Sequence, residues 1–149
     1  MVEHMTAYSN ILVAVDLSPE AKAVVGRACE LRKSYGAVLS LIHVVEPILL
    51  GGDYELAPAM PVELEDTLLQ RAKGYLESLA EEMNISDVER VVEVGSVKHE
   101  ILRFAESRGC DLIVIGSHGR HGVATLLGST ANAVLHGAGC DILCVRLGV

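Results

Sequence analysis

From Val114 to Val134 the chain reads VIGSHGRHGVATLLGSTANAV. Gly116 follows an apolar run, Gly119 stands three residues on, and Gly128 precedes Ser129 and Thr130. Glycine carries no Cβ, so a ligand can approach its backbone closely. Hydroxyls beside the unpaired amides of a helix's first turn, at the positive end of its dipole, make an anion site. A phosphate group is the guest that suits such a site, and His118 and Arg120 on the same segment add donors or charge. Glycines after a strand can also serve a tight turn alone, with Ser129 as a cap. The third glycine, the Ser-Thr pair and the position at a strand's carboxyl end favour the anion site. The segment is not a P-loop, since it holds no Gly-Lys-Ser/Thr, and it is not Gly-x-Gly-x-x-Gly after the first strand.

Other reactive side chains fit no catalytic set. His43 lies inside an apolar strand pattern and reads as structural, and His99 falls in a helix's first turn, facing water. His118 and His121 are the two histidines near the phosphate segment, without a carboxylate partner in sequence. Phosphoryl transfer needs a positioned water or base and a charge clamp. Hydrolysis is therefore expected to be slow at most. Cys29, Cys110, Cys140 and Cys144 show no Cys-x-x-Cys spacing and read as reduced, buried thiols. His136, Cys140 and Cys144 lack a fourth ligand nearby, so no zinc site is expected.

Composition narrows the class. The 149 residues carry 12 Lys and Arg against 20 Asp and Glu, a net charge of −8. A nucleic-acid binder draws most of its affinity from a basic face, which this balance excludes. The stretch 121–140 lacks charged residues but is rich in glycine and hydroxyls, too polar to cross a bilayer. With no secretory leader read at the front, the expectation is a soluble cytoplasmic protein. Residues 1–8 read as a tail and 9–149 as one domain.

The elements that would position the glycine segment follow from periodicity. Continuous apolar runs at 11–15, 38–45, 111–115 and 141–145 read as strands covered on both faces, and 88–94 as a partly alternating fifth. Helical spacing runs from Pro19 to Gly36, with Ser18 as cap, and over 62–83, 96–108 and about 128–137. Three prolines and a Gly-Gly pair make 46–61 an irregular crossover. Strands alternating with helices give a single-domain, open, parallel five-stranded α/β sheet with helices on both faces. Such sheets bind ligands beyond the carboxyl ends of their strands. If the last strand borders the sheet, antiparallel pairing with a second copy would cover its edge.

The sequence resembles the universal stress protein family from about Ser9 to Arg146. NILVAVDLSPEA is similar to that family's first strand with its aspartate, and LSLIHVVEP to its second strand. VIGSHGRHGVATLLGSTANAVL is similar to its nucleotide signature, Gly-x2-Gly-x9-Gly-Ser/Thr. The resemblance implies a Rossmann-like fold of the adenine nucleotide alpha hydrolase type, as a homodimer. It implies Asp16 beside the adenine or ribose and backbone near Ala14 and Val44 along the adenine. It sets Ile115 and Gly116 at the ribose, and Gly119, Gly128, Ser129 and Thr130 around the phosphates, to which the charge read at Arg120 would add. ATP, or ADP or AMP, is the implied ligand, with Mg²⁺ or Mn²⁺. The implied role is a nucleotide-dependent switch in a stress response, read by an unidentified protein partner. One departure is visible: Gly119 and Gly128 enclose eight residues, one fewer than the pattern. That shortening, and the look of AVDLSPEA, keep open a nucleotide-free dimer that works through protein contacts. A flavodoxin-like flavoprotein shares the same fold class.

Overall fold

The computed structural model describes residues 7–47, 61–117 and 128–147. The order of elements is β1 (Asn10–Ala14), α1 (Ala21–Tyr35), β2 (Val38–Val45), α2 (Val62–Glu82), β3 (Glu89–Val94), α3 (Val97–Ser107), β4 (Leu112–Gly116), α4 (Ser129–Gly137) and β5 (Asp141–Val145). All paired strands run parallel, in the order β3-β2-β1-β4-β5. The α/β alternation expected from the apolar runs is thus the observed architecture.

β1 and β4 are central and apolar along nearly their whole length because both of their faces are covered. Ile11, Val13, Leu41 and Val114 pack with Val24, Val25 and Ala28 of α1 and with Leu76, Leu79 and Ala80 of α2. On the other face Leu12, Ile42, Val44, Ile113 and Ile115 pack with Ile101, Phe104 and Ala105 of α3 and Ala131 and Val134 of α4. Two helices therefore cover each face of the sheet. The border strands differ in character. β3 carries Glu89, Arg90 and Glu93, whereas β5 is Asp-Ile-Leu-Cys-Val.

Local signals explain most boundaries. Gly36 ends α1 with φ 66°, where its amide reaches Arg32 O at 2.8 Å. Ser96 caps α3 by accepting from the His99 amide at 3.4 Å. The start of α1 differs from expectation. The helix begins at Ala21, its N-cap Glu20 makes no side-chain cap, and Ser18 lies outside it. The Ser18 hydroxyl goes to Asp16 two residues back, a local side-chain partner that outcompetes the helix end. The cysteines also differ: Cys110 is buried and Cys29 and Cys140 partly so, but Cys144 is exposed on border strand β5.

Candidate functional site

The chain leaves β1 toward β2 on one side, and β4 and β5 build the other, so the order of strands reverses between β1 and β4. A crevice opens there for a structural reason. The last register pair between β1 and β4 is Val13 with Val114. Beyond it, β1 follows β2: the Val15 amide donates to Ile42 O at 2.8 Å. The Val15 carbonyl lies 2.7 Å from Nδ1 of His43. A carbonyl only accepts, so Nδ1 carries the proton and His43 acts as a strut. β4 instead follows β5, pairing Gly116 with Val145, and the Ser117 amide donates to Val145 O at 2.8 Å. The two central strands are thus drawn apart at their carboxyl ends, where open α/β sheets bind ligands.

The crevice has a volume of about 740 Å³, within the range of small-molecule sites. One wall is apolar, built from Ala14, Ile42, Val44, Val97, Ile101 and Ile115. Gly128, Ser129, Thr130 and Ala131 bring in the start of α4. The Gly128 amide donates to Ser117 O, which closes the ends of the connection between β4 and α4. The Asn132 amide takes Gly128 O at 2.9 Å, while the amides of Ser129, Thr130 and Ala131 have no partner among the described residues. These donors sit at the positive end of the helix dipole.

Charge on the described lining is sparse: Asp16, Glu46 and Arg71. Oδ1 of Asp16 accepts from the Ser18 amide at 3.1 Å and the Ser18 hydroxyl at 2.6 Å. The hydroxyl of Tyr75, on α2, donates to the Ser18 carbonyl at 3.2 Å. Burial, and then the Asp16 charge, push the Tyr75 phenol up, which keeps it a donor. The site can therefore hold a flat apolar group on one side, an anion at the α4 amides, and a hydrogen-bond donor at Asp16.

Of the residues singled out from sequence, Ala14, Asp16, Val44, Ile115, Gly116, Gly128, Ser129 and Thr130 all line this one crevice. Gly119 and Arg120, with His118 and His121, lie outside the described residues. His43, Arg71 and Leu147 line the crevice and were not anticipated there. His43 had no signal in its parity, which is opposite to that of Ile42 and Val44; it reaches the crevice because it stands near the carboxyl end of β2. Arg71 had a signal: it stands one turn before Tyr75, on the side of α2 marked by Leu68 and Ala72. Leu147 had none, because it follows the last strand and packs only through the fold.

The universal stress protein family matches residues 7–146 of the chain. Universal stress protein A homolog 2 of Coxiella burnetii is 47% identical over 145 residues, 96% of this chain and 98% of that protein. Among solved structures, the hypothetical protein MJ0577 superposes with a TM-score of 0.78 at 25% identity, covering 97% of this chain and 99% of its own. A universal stress protein in complex with cAMP, 22% identical, shares the fold with a TM-score of 0.63, covering 95% of this chain and 98% of its own.

Proposed function

We propose, for a chain that belongs to the universal stress protein family, that the crevice holds an adenine nucleotide and that its occupancy regulates a stress response. The observation that carries this reading is the pairing, in one crevice, of an apolar wall with the first amides of α4, which have no partner among the described residues. A purine ring fits against Ala14, Val44 and Ile115, and the phosphates fit the amides of Ser129 and Thr130. Ile115 and Gly116 border the sugar between them. The cAMP complex of a structural relative supports adenine as the base.

ATP is the nucleotide favoured here, because the sequence between β4 and α4 carries Gly119 and Arg120, which match the family's phosphate segment. No trio of His, Cys, Asp or Glu among the described residues stands close enough to hold a metal ion. Mg²⁺ or Mn²⁺ would come bound to the phosphates and keep most of its waters. The nucleotide acts as a ligand with slow turnover at most, because His118 and His121 have no carboxylate partner in sequence. Among the described residues no helix is long and apolar enough to cross a membrane, which fits a cytoplasmic regulator. A second copy pairs along β5, and the protein partner reads the nucleotide state of this dimer.

Purified protein, denatured and filtered, tests the reading by the adenine nucleotide it releases at 260 nm. The chain has no tryptophan, so protein absorbance interferes little. Release of nucleotide, or its uptake from added ATP, is expected. Neither release nor uptake at millimolar ATP would leave a nucleotide-free dimer that works through protein contacts, the reading that the shortened Gly119–Gly128 spacing favours.

A further inference from the structure

We propose that Ser18 is a positioning residue that gives the crevice its preference for a ribose over a deoxyribose, acting through Asp16. The inference rests on the nucleotide reading above and concerns which sugar that site accepts. Ser18 is only 6% exposed, although it lies in a surface turn. Its amide and its hydroxyl both donate to the same oxygen, Oδ1 of Asp16, at 3.1 and 2.6 Å. Its own carbonyl is held from behind by the Ala21 amide at 3.1 Å and the Tyr75 hydroxyl at 3.2 Å. The turn is thus fixed by α1 and α2 together.

The consequence falls on the other carboxylate oxygen. With Oδ1 fastened by two donors, the carboxylate cannot turn without breaking both. Oδ2 has no partner among the described residues, and Asp16 lines the crevice. An ionised carboxylate only accepts hydrogen bonds, so its ligand partner must be a donor. A phosphate is turned away by charge and has no proton to offer. The apolar wall takes the base and the α4 amides take the phosphates. The adenine amine is the nucleotide's other donor and goes with the base to the strand backbone, so the pentose, with its vicinal hydroxyls, is the part left for Asp16. A buried serine holding an acceptor at a set angle converts a hydroxyl on the sugar into affinity.

Titration of wild type, Ser18→Ala, Ser18→Thr, Asp16→Ala and the Ser18→Ala/Asp16→Ala double variant with ATP, 2′-deoxyATP and 3′-deoxyATP tests this. Wild type is expected to prefer ATP over at least one deoxy form by about tenfold, the worth of one hydrogen bond to a charged group. Ser18→Ala is expected to shrink that preference to about twofold, and Ser18→Thr, which keeps the hydroxyl, to restore it. Adding Asp16→Ala to Ser18→Ala is expected to shrink the preference no further. Wild type binding all three nucleotides equally would overturn the proposal. So would a Ser18→Ala variant that weakens all three by the same factor, or additive losses in the double variant. Wild type that binds ATP without sugar preference leaves the nucleotide reading standing, whereas wild type that binds none of the three overturns both.

Discussion

A Cβ placed on Gly116 would stand 2.8 Å from Cδ1 of Leu147 and 3.3 Å from Cγ2 of Val24. The last residue of β4 is therefore small because of Leu147 and Val24, which pack against it and line the same crevice. Gly116→Ala is expected to cost about 1–2 kcal/mol by overpacking. In a Leu147→Ala background the nearest atom is gone, and the cost of Gly116→Ala should fall to within about 0.5 kcal/mol. Urea unfolding of the two single variants and the double variant measures this coupling. Equal costs in the two backgrounds would contradict the contact.

Asp111 fastens the amino end of β4 to that of β1. Oδ2 accepts from the Ser9 amide at 2.9 Å and the Ser9 hydroxyl at 3.0 Å, and Oδ1 from the Asn10 amide at 3.0 Å. Burial pushes this carboxyl up, but the three donors together outweigh it and hold it below the ordinary aspartate range. A lowered folded value means stability that is present above the unfolded value, near ~4, and lost as pH falls through the folded one. Asp111→Ala is expected to cost about 2–3 kcal/mol at pH 7. Its deficit against wild type should narrow below about pH 4. Unfolding curves at pH 7 and pH 3 check both halves, and a deficit that widens in acid would contradict the assignment.

The thiols should separate by accessibility. Burial first, then Cys140 and Asp111, push Cys110 up to about 11. Near pH 8 only about one such thiol in a thousand is ionised. Cys144 is exposed on β5 of the single chain, so it is expected to alkylate as the paired copies separate, ahead of Cys110, which reacts only as the protein unfolds. Timed iodoacetamide labelling with peptide mass spectrometry reads the order. Native labelling of Cys110 ahead of Cys144 would contradict it.

Among the described residues, no strand pairs with the outer edge of β5, an apolar border strand. A two-chain mass by light scattering at micromolar concentration is expected. Cys144→Lys sets like charges against each other across a two-fold pairing and should return the single-chain mass. Its exposed position keeps the cost to the monomer within about 0.5 kcal/mol. A wild-type monomer would refute the pairing.

The order of elements was legible because strands covered on both faces must be apolar throughout: Ile11 to Val13 and Leu112 to Ile115 show it directly. The expected cleft residues converge because the carboxyl ends of parallel strands all face one edge. What escaped the sequence was set by the choice of partner, local for Ser18 and far along the chain for the others. Ser18 looked like a cap because Ser-Pro-Glu resembles a helix start, but Asp16 claims its hydroxyl. The role of His43 depends on the Val15 carbonyl of a neighbouring strand. Gly116 was expected to admit a ligand, and its smallness also serves Leu147, a residue beyond β5. Cys144 sits in an apolar run like those of the centre, and only the order of strands puts it at a border.

The central claim is that the start of α4 grips the phosphates of a nucleotide, and Ser129→Asp tests it most directly. Ser129 is exposed in the first turn, where a carboxylate suits the dipole and should leave the melting temperature unchanged or slightly raised. The same carboxylate takes the place of the phosphates. Isothermal titration with ATP and Mg²⁺ should show heat of binding for wild type and at least about tenfold weaker binding for Ser129→Asp. Wild type with no heat at millimolar nucleotide, or equal affinity in the two proteins, would contradict the account.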